Sequence, residues 1–317
     1  MLIRILGAAA GGGFPQWNCS CRNCADVRAG KPGFRARTQC SLAVSANGTD
    51  WVLLNATPDL RQQINDTPEL GARPDGGLRN SPIKAAVLTG GDIDFIAGLL
   101  NLRELQPFTV YGSLRVLKTL AENSVFNVLD ASVVPRREVK LGAATRIEGA
   151  GVDITGAERD TGLVVEAFAV PGKIALYLES GAAGDNYGSR EGDAIGLKVS
   201  APATGKSFFY VPACAMVDDE LAARLKGAPL VFFDGTLYTD DEMIRQGLMK
   251  KTGQRMGHIS ISGPEGSIAA LEPLGVTRKI YVHINNSNPV LDDTSPERRA
   301  TEAAGWEVGF DGMEIRL

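Results

Sequence analysis

Residues 85–100, "AAVLTGGDIDFIAGLL", decide how the chain is read. Four apolar residues, Ala85–Leu88, make a buried strand, and the glycines at 90 and 91 interrupt it. Asp92 and Asp94 follow at once, and Asp94 is placed to cap a helix predicted over Asp94–Leu105. Phe95, Leu99 and Leu102 fall on one face of that helix, the spacing of a core-facing element. A strand that runs into carboxylates and then a helix presents polar groups at a sheet edge.

Two more strand ends repeat the pattern. Asp234 closes "LVFFD", and a carboxylate after four apolar residues is costly unless paired or bound to a cation. His283 closes "KIYVH"; the chain has two histidines, and the other is His258 in "MGHISISG". Strand ends carrying Asp and His suit a metal centre. A Ser/His/Asp hydrolase would use the same residue types, but no G-x-S-x-G elbow is present.

The sequence has 317 residues, 44% of them hydrophobic, and a net charge of -4. No stretch has linker composition, so a single domain over residues 1–317 is expected. The charge gives no footprint for nucleic acid; Arg136, Arg137 and Lys140, interrupted by Glu138, read as a solvated face. No apolar run is long enough for a membrane span. The opening "MLIRILGAAAGG" is broken by Arg4 and reads as a first strand, so a cytoplasmic location is expected. Short apolar runs, among them Leu2–Leu6, Ser41–Ser45, Trp51–Asn55, Ile174–Leu178 and Phe208–Val211, alternate with helical patterns such as Ser113–Asn123. An α/β protein with mixed sheets covered by helices follows. Residues 71–81 and 180–194 read as long surface loops.

The stretch 11–24, "GGGFPQWNCSCRNC", offers two further sites. Its glycines fail as a dinucleotide loop, because Gln16 stands where the third glycine belongs. "TGKS" at 204–207 likewise lacks the first glycine of a phosphate loop. Cys19, Cys21 and Cys24 form C-x-C-x-x-C, which lets three thiolates converge on one soft cation. Cys40, Asp26 or a distant residue could supply a fourth ligand, while Cys214 in "VPACA" reads as a core residue.

These stretches, with "ILGAAAGGGFPQWNCSCRNC", "LTGGDIDFIAGLLNLRE", "FFDGTLYTDDEM", "MGHISISGPEGSIAAL", "YVHINNSNPVL" and "GFDGMEIRL", cover nearly the whole chain. Together they resemble the coenzyme PQQ (pyrroloquinoline quinone) biosynthesis protein B family of the metallo-β-lactamase superfamily. The resemblance implies an αββα sandwich, two mixed sheets flanked by helices, with metals at one edge. Against the superfamily signature T-H-x-H-x-D-H, Gly90 and Asp92 stand in place of the first two histidines, Asp94 is kept, and Phe95 replaces the last. Asp94, Asp234 and His283 are the implied active-site metal ligands, with Asp92 close by. His258 is a ligand or general acid/base, and Lys173 a substrate contact.

With most imidazoles gone, zinc-dependent hydrolysis is not expected. The resemblance implies an iron-dependent hydroxylase acting on the tyrosine of a peptide-derived PQQ precursor. The alternative is a non-catalytic carrier of PQQ or its precursor, involved in transport to the periplasm. PQQ is a tricarboxylate, for which Lys173, Arg103 and Arg255 are candidate contacts. Other PQQ-pathway proteins and a homodimer are among the implied partners. The cysteine motif matches a structural zinc site in superfamily relatives, with Asn286 at the position of the fourth ligand.

Overall fold

The computed structural model describes residues 1–152, 158–179 and 191–317. Within them the strands assemble into two sheets. In spatial order the first contains Glu314–Arg316, Leu2–Gly7, Ser41–Ser45, Trp51–Leu54, Ile83–Val87, Thr109–Gly112 and Arg136–Glu138. The second contains Trp306–Val308, Lys279–Val282, Val231–Asp234, Lys206–Val211, Ile195–Ala201, Glu158–Ala169 and Ala144–Val152. Each is antiparallel over one half and parallel over the other.

Alternation along the strands explains the layers. Leu42, Val44, Val52, Leu54 and Val87 of the first sheet pack against Leu197, Val199, Phe208, Tyr210, Phe232 and Ile280 of the second. Their neighbours in sequence point outward. Phe209, Val211, Val231 and Phe233 meet Leu221, Leu225 and Leu271 of the helices Asp219–Leu225 and Ser267–Leu271. Ala43, Leu53 and Ala86 meet Leu60, Val116 and Leu120 of Leu60–Asp66 and Leu114–Glu122. Strands buried on both faces read as continuous apolar runs, as these do. The expected αββα sandwich is therefore the observed one.

Three local expectations are corrected. Ile174–Leu178 is not a strand; Leu176–Leu178 is a short 3-10 turn. The Leu176 N–H, which a ladder would have used, donates instead to Asp92 Oδ1 (3.2 Å), and the Tyr177 hydroxyl donates to the Gly91 carbonyl (2.7 Å). The helix expected over Asp94–Leu105 is α-helical only at Ile93–Ile96 and continues as 3-10 over Ala97–Leu102. Gly98 touches the chain at Thr57 so closely that a Cβ would lie 2.0 Å from its carbonyl oxygen. Asp92, not Asp94, occupies the N-cap position. Of the loop expected at 180–194, residues 180–190 lie outside the described residues. Among the described residues no helix is long and apolar enough to cross a membrane.

Candidate metal centre

The parallel halves of both sheets send their strand ends to one edge of the sandwich. Val231–Asp234 delivers Asp234, wholly buried, and Lys279–Val282 delivers His283 in the next position. The loop after Ile83–Val87 delivers Asp92 and Asp94, and His258 arrives from the segment after the short helix Glu242–Arg245. Asp234, His258 and His283 converge, one ligand atom from each lying within 4.8 Å of the others.

Asp234 Oδ2 accepts from the Cys214 N–H (2.9 Å) and lies 2.7 Å from His258 Nδ1. Its Oδ1 accepts from the N–H and hydroxyl of Thr236. The Thr236 hydroxyl is also 2.9 Å from His283 Nδ1, and His283 Nε2 is 3.1 Å from Asp94 Oδ2. The imidazoles of His258 and His283 stack at 5.1 Å. Burial disfavours a charged His283, but its bond to Asp94 and the surrounding aspartates outweigh this and raise its pKa. Burial pushes Asp94 up, yet the bond and charge of His283 win and hold it low. Burial and then the charge of Asp94 push Asp92 up to about 6.

The donors fit a divalent cation. Such ions hold nitrogen and oxygen at about 2.0–2.2 Å, which sets neighbouring ligand atoms about 3 Å apart. The His283–Asp94 separation of 3.1 Å and the His258–Asp234 separation of 2.7 Å match that edge length. Phe95, buried, lies tilted against His283 with ring centres 5.6 Å apart, and a Cβ on Gly90 would approach it at 3.1 Å. An apolar ring therefore fills the space beside His283.

A cavity of about 600 Å³ opens over this centre, lined by Asp92, Asp94, His258, His283 and Lys173. Leu176, Met243, Leu248, Met249 and Met256 supply apolar surface. Arg103 does not join them: it pairs with Glu104 and donates to the Leu100 carbonyl. Sequence reading missed Thr236, whose only signal was a hydroxyl two residues after Asp234 in "DGT".

The cysteines form a second cluster beside the same cavity. Cys19, Cys21 and Cys24 bring their sulfurs within 4.8 Å of one another, and the Asn286 amide nitrogen lies 3.2, 3.6 and 3.3 Å from them. Asn286 is thus the residue that faces all three sulfurs, its amide N–H groups donating to them. Asp26 does not, because Lys31 (2.5 Å) and Arg22 (3.6 Å) occupy its carboxylate. Cys40 lies between the sheets, 3.3 Å from the Tyr210 hydroxyl. Burial first, then the neighbouring thiols, push Cys21 up to about 11, so a cation is needed to hold this sulfur as a thiolate at neutral pH. Cys214 is buried, as expected of a core residue.

The sandwich with polar strand ends at one edge defines a metallo-β-lactamase fold, and the model of the Beta-lactamase superfamily domain matches residues 50–284. A diphosphatase from the PhnP family shares the fold at a TM-score of 0.67 and 18% identity, covering 100% of this chain and 97% of that one. The chain is 52% identical over 317 residues, all of both chains, to coenzyme PQQ synthesis protein B of Rhodopseudomonas palustris. The crystal structure of Zn2+-bound PqqB from Methylobacterium extorquens matches with a TM-score of 0.92 and 46% identity over all of both chains. The chain belongs to the coenzyme PQQ synthesis protein B family, and its role lies in PQQ biosynthesis.

Proposed function

We propose that the chain is a metal-dependent oxygenase that hydroxylates the tyrosine ring of the peptide-derived PQQ precursor. The observation that carries this reading is the convergence of His258 and His283 with buried carboxylates beneath a partly apolar cavity. Two imidazoles with a carboxylate are the set that holds ferrous iron with open positions. When bound, that ion supplies oxygen activation. His258, His283 and Asp234 are its ligands, with Asp94 adjoining His283. Zinc belongs to Cys19, Cys21, Cys24 and Asn286, a reading supported by the zinc-bound relative and by the sulfur-rich donor set.

The remaining residues bind and orient. Leu176, Met243 and Met256 take the ring and exclude water, while Lys173 contacts the substrate. Asp92, fixed through Oδ1 by the Leu176 N–H, keeps Oδ2 to receive the phenol proton. Replacing ring C–H by C–OH uses one atom of O2; the other leaves as water with two protons and two electrons from a reductant.

The test is anaerobic loading with ferrous iron, then addition of a tyrosine-bearing precursor peptide, ascorbate and O2. The expected result is a mass gain of one oxygen, abolished in His283→Ala. Unchanged peptide alongside micromolar or tighter PQQ binding overturns the reading in favour of the carrier, which the basic cavity wall would also suit.

A further inference from the structure

The segments that bring Leu176, Met249 and Met256 to the cavity also carry a cluster of charges. Glu179 meets Lys173 Nζ at 2.7 Å, Lys251 Nζ at 3.6 Å and Arg255 Nη1 at 3.6 Å. One carboxylate thus gathers two lysine ammonium groups and a guanidinium. Lys173 and Lys251 both line the cavity. The side chain of Lys173 is 13% exposed, so its ammonium is largely withdrawn from bulk water and held by a short bond to Glu179. That bond, with the charges of the other two cations, keeps Glu179 below the usual carboxylate range, hence ionised.

The cluster is built by the backbone. Gly257, at φ 89°, lies so near Lys173 that a Cβ would sit 2.9 Å from the lysine Cβ. This close approach docks the segment carrying Lys251 and Arg255 onto the segment carrying Lys173 and Glu179. Lysine stems are flexible, and an ion pair at each root lowers the entropy lost when a ligand engages them.

We propose that Lys173 and Lys251 form a carboxylate-binding subsite, positioned by Glu179, for an aromatic acid whose ring oxygen reaches the His258–His283 centre. The inference rests on the proposed function for the identity of the ring oxygen, and on the cavity alone for the carboxylate. Orientation follows from charge. Asp92 and Asp94, which line the cavity with the two histidines, repel a ligand carboxylate, while Lys173 and Lys251 attract it. Met243, Met249 and Met256, which line the same cavity, offer polarizable surface to an aromatic ring. Sequence inspection names Lys173 and Arg255 but not Lys251 or Glu179, because only the fold brings residues 173–179 and 251–255 together.

The experiment is calorimetric titration of the full chain, without iron or added reductant, using PQQ and its trimethyl ester as probes. Wild type is expected to bind the acid at least ~10-fold tighter than the ester. Lys251→Gln, and Lys173→Gln with Lys251→Gln, should each weaken PQQ by ~10-fold or more while leaving ester affinity unchanged. Arg103→Gln, which removes a cation outside the cavity, should retain the full preference. Unchanged ester affinity in the lysine variants reports an intact cavity. Absent PQQ binding by wild type, equal affinity for acid and ester, or a full acid preference in Lys251→Gln overturns the subsite. Because no turnover enters this measurement, failure of the hydroxylase reading leaves its outcome intact, and the reverse holds for the peptide assay.

Discussion

Thr236 has one hydroxyl proton and sits among more partners than it can donate to. Its oxygen is 2.6 Å from Asp234 Oδ1, 2.9 Å from His283 Nδ1 and 3.1 Å from His258 Nδ1. The Asp234 carboxylate at 2.6 Å and the His283 carbonyl at 3.0 Å both only accept; the nearer, charged oxygen takes the hydroxyl proton, and the hydroxyl receives one from His283 Nδ1. That choice places a proton on His283 Nδ1 and leaves Nε2, which faces Asp94, as the atom that would exchange its proton for a cation. Thr236→Val keeps the shape and removes the relay. It should lower affinity for a divalent ion at this centre ~10–100-fold, measured by competition with a chromophoric chelator. It should also cost about 1–3 kcal/mol in urea denaturation, because Asp234 and His283 lose a buried partner. Equal metal affinity in wild type and variant would show that Thr236 does not orient His283.

At the scale of elements, the C-terminal segment is fastened to the N-terminal loop by one carboxylate. Asp311 accepts from the Thr38 N–H (2.6 Å), the Thr38 hydroxyl (2.7 Å) and the Ala8 N–H (3.1 Å). Burial is the largest influence and pushes its pKa from 3.8 to about 6 despite these bonds. The native state therefore binds this proton more tightly than the unfolded chain. The stabilisation is complete below the unfolded value and is lost as pH rises through about 6. Between about pH 4 and pH 7 wild type should lose stability relative to Asp311→Asn, followed by urea midpoints across the range. Parallel pH profiles would remove Asp311 as the cause.

The same scale shows what could be read in advance. Strands such as Val231–Asp234 and Lys279–Val282 were legible because burial on both faces demands unbroken apolar runs. Asp234 and His283 were legible as polar ends of those runs. The turn at Leu176–Leu178 was not, since the Leu176 N–H and the Tyr177 hydroxyl bond to Asp92 and Gly91, some 85 residues away in sequence. Nor was the shift to 3-10 after Ile96, because the reason lies at Thr57. The apolar spacing of Phe95 and Leu99 is right, and both are buried, but spacing cannot report a backbone pressed against Gly98. Asn286 came from the family resemblance alone, whereas the exclusion of Asp26 required seeing Lys31 and Arg22 on its carboxylate.

At the scale of the whole molecule, the N-terminal loop, the second sheet and the strand-end centre meet around the cysteines. Cys21 begins the helix Arg22–Arg28, and Asn23 in its first turn donates to the carbonyls of Asn286 (3.1 Å) and Asn288 (3.0 Å). Zinc at the triad would brace chain ends that are otherwise far apart in sequence. Cys21→Ala should lose about one equivalent of zinc by elemental analysis and unfold at lower temperature than wild type. An unchanged zinc content would show that the triad is not its site.

His283 and Asn286 belong to one short segment, and that proximity couples two centres that differ in chemistry. His283 sits at φ 55°, a backbone state seldom adopted outside glycine, and is held by its surroundings. The Asn285 N–H donates to the Thr236 carbonyl (3.0 Å), and the Ile284 N–H to that of Ala8 (2.9 Å). A cation held by the sulfurs would act on Asn286, three residues from His283, and so on the backbone that aims the imidazole. Thermodynamic reciprocity then applies: whatever free energy zinc lends to binding at His283, a metal at His283 returns to zinc retention.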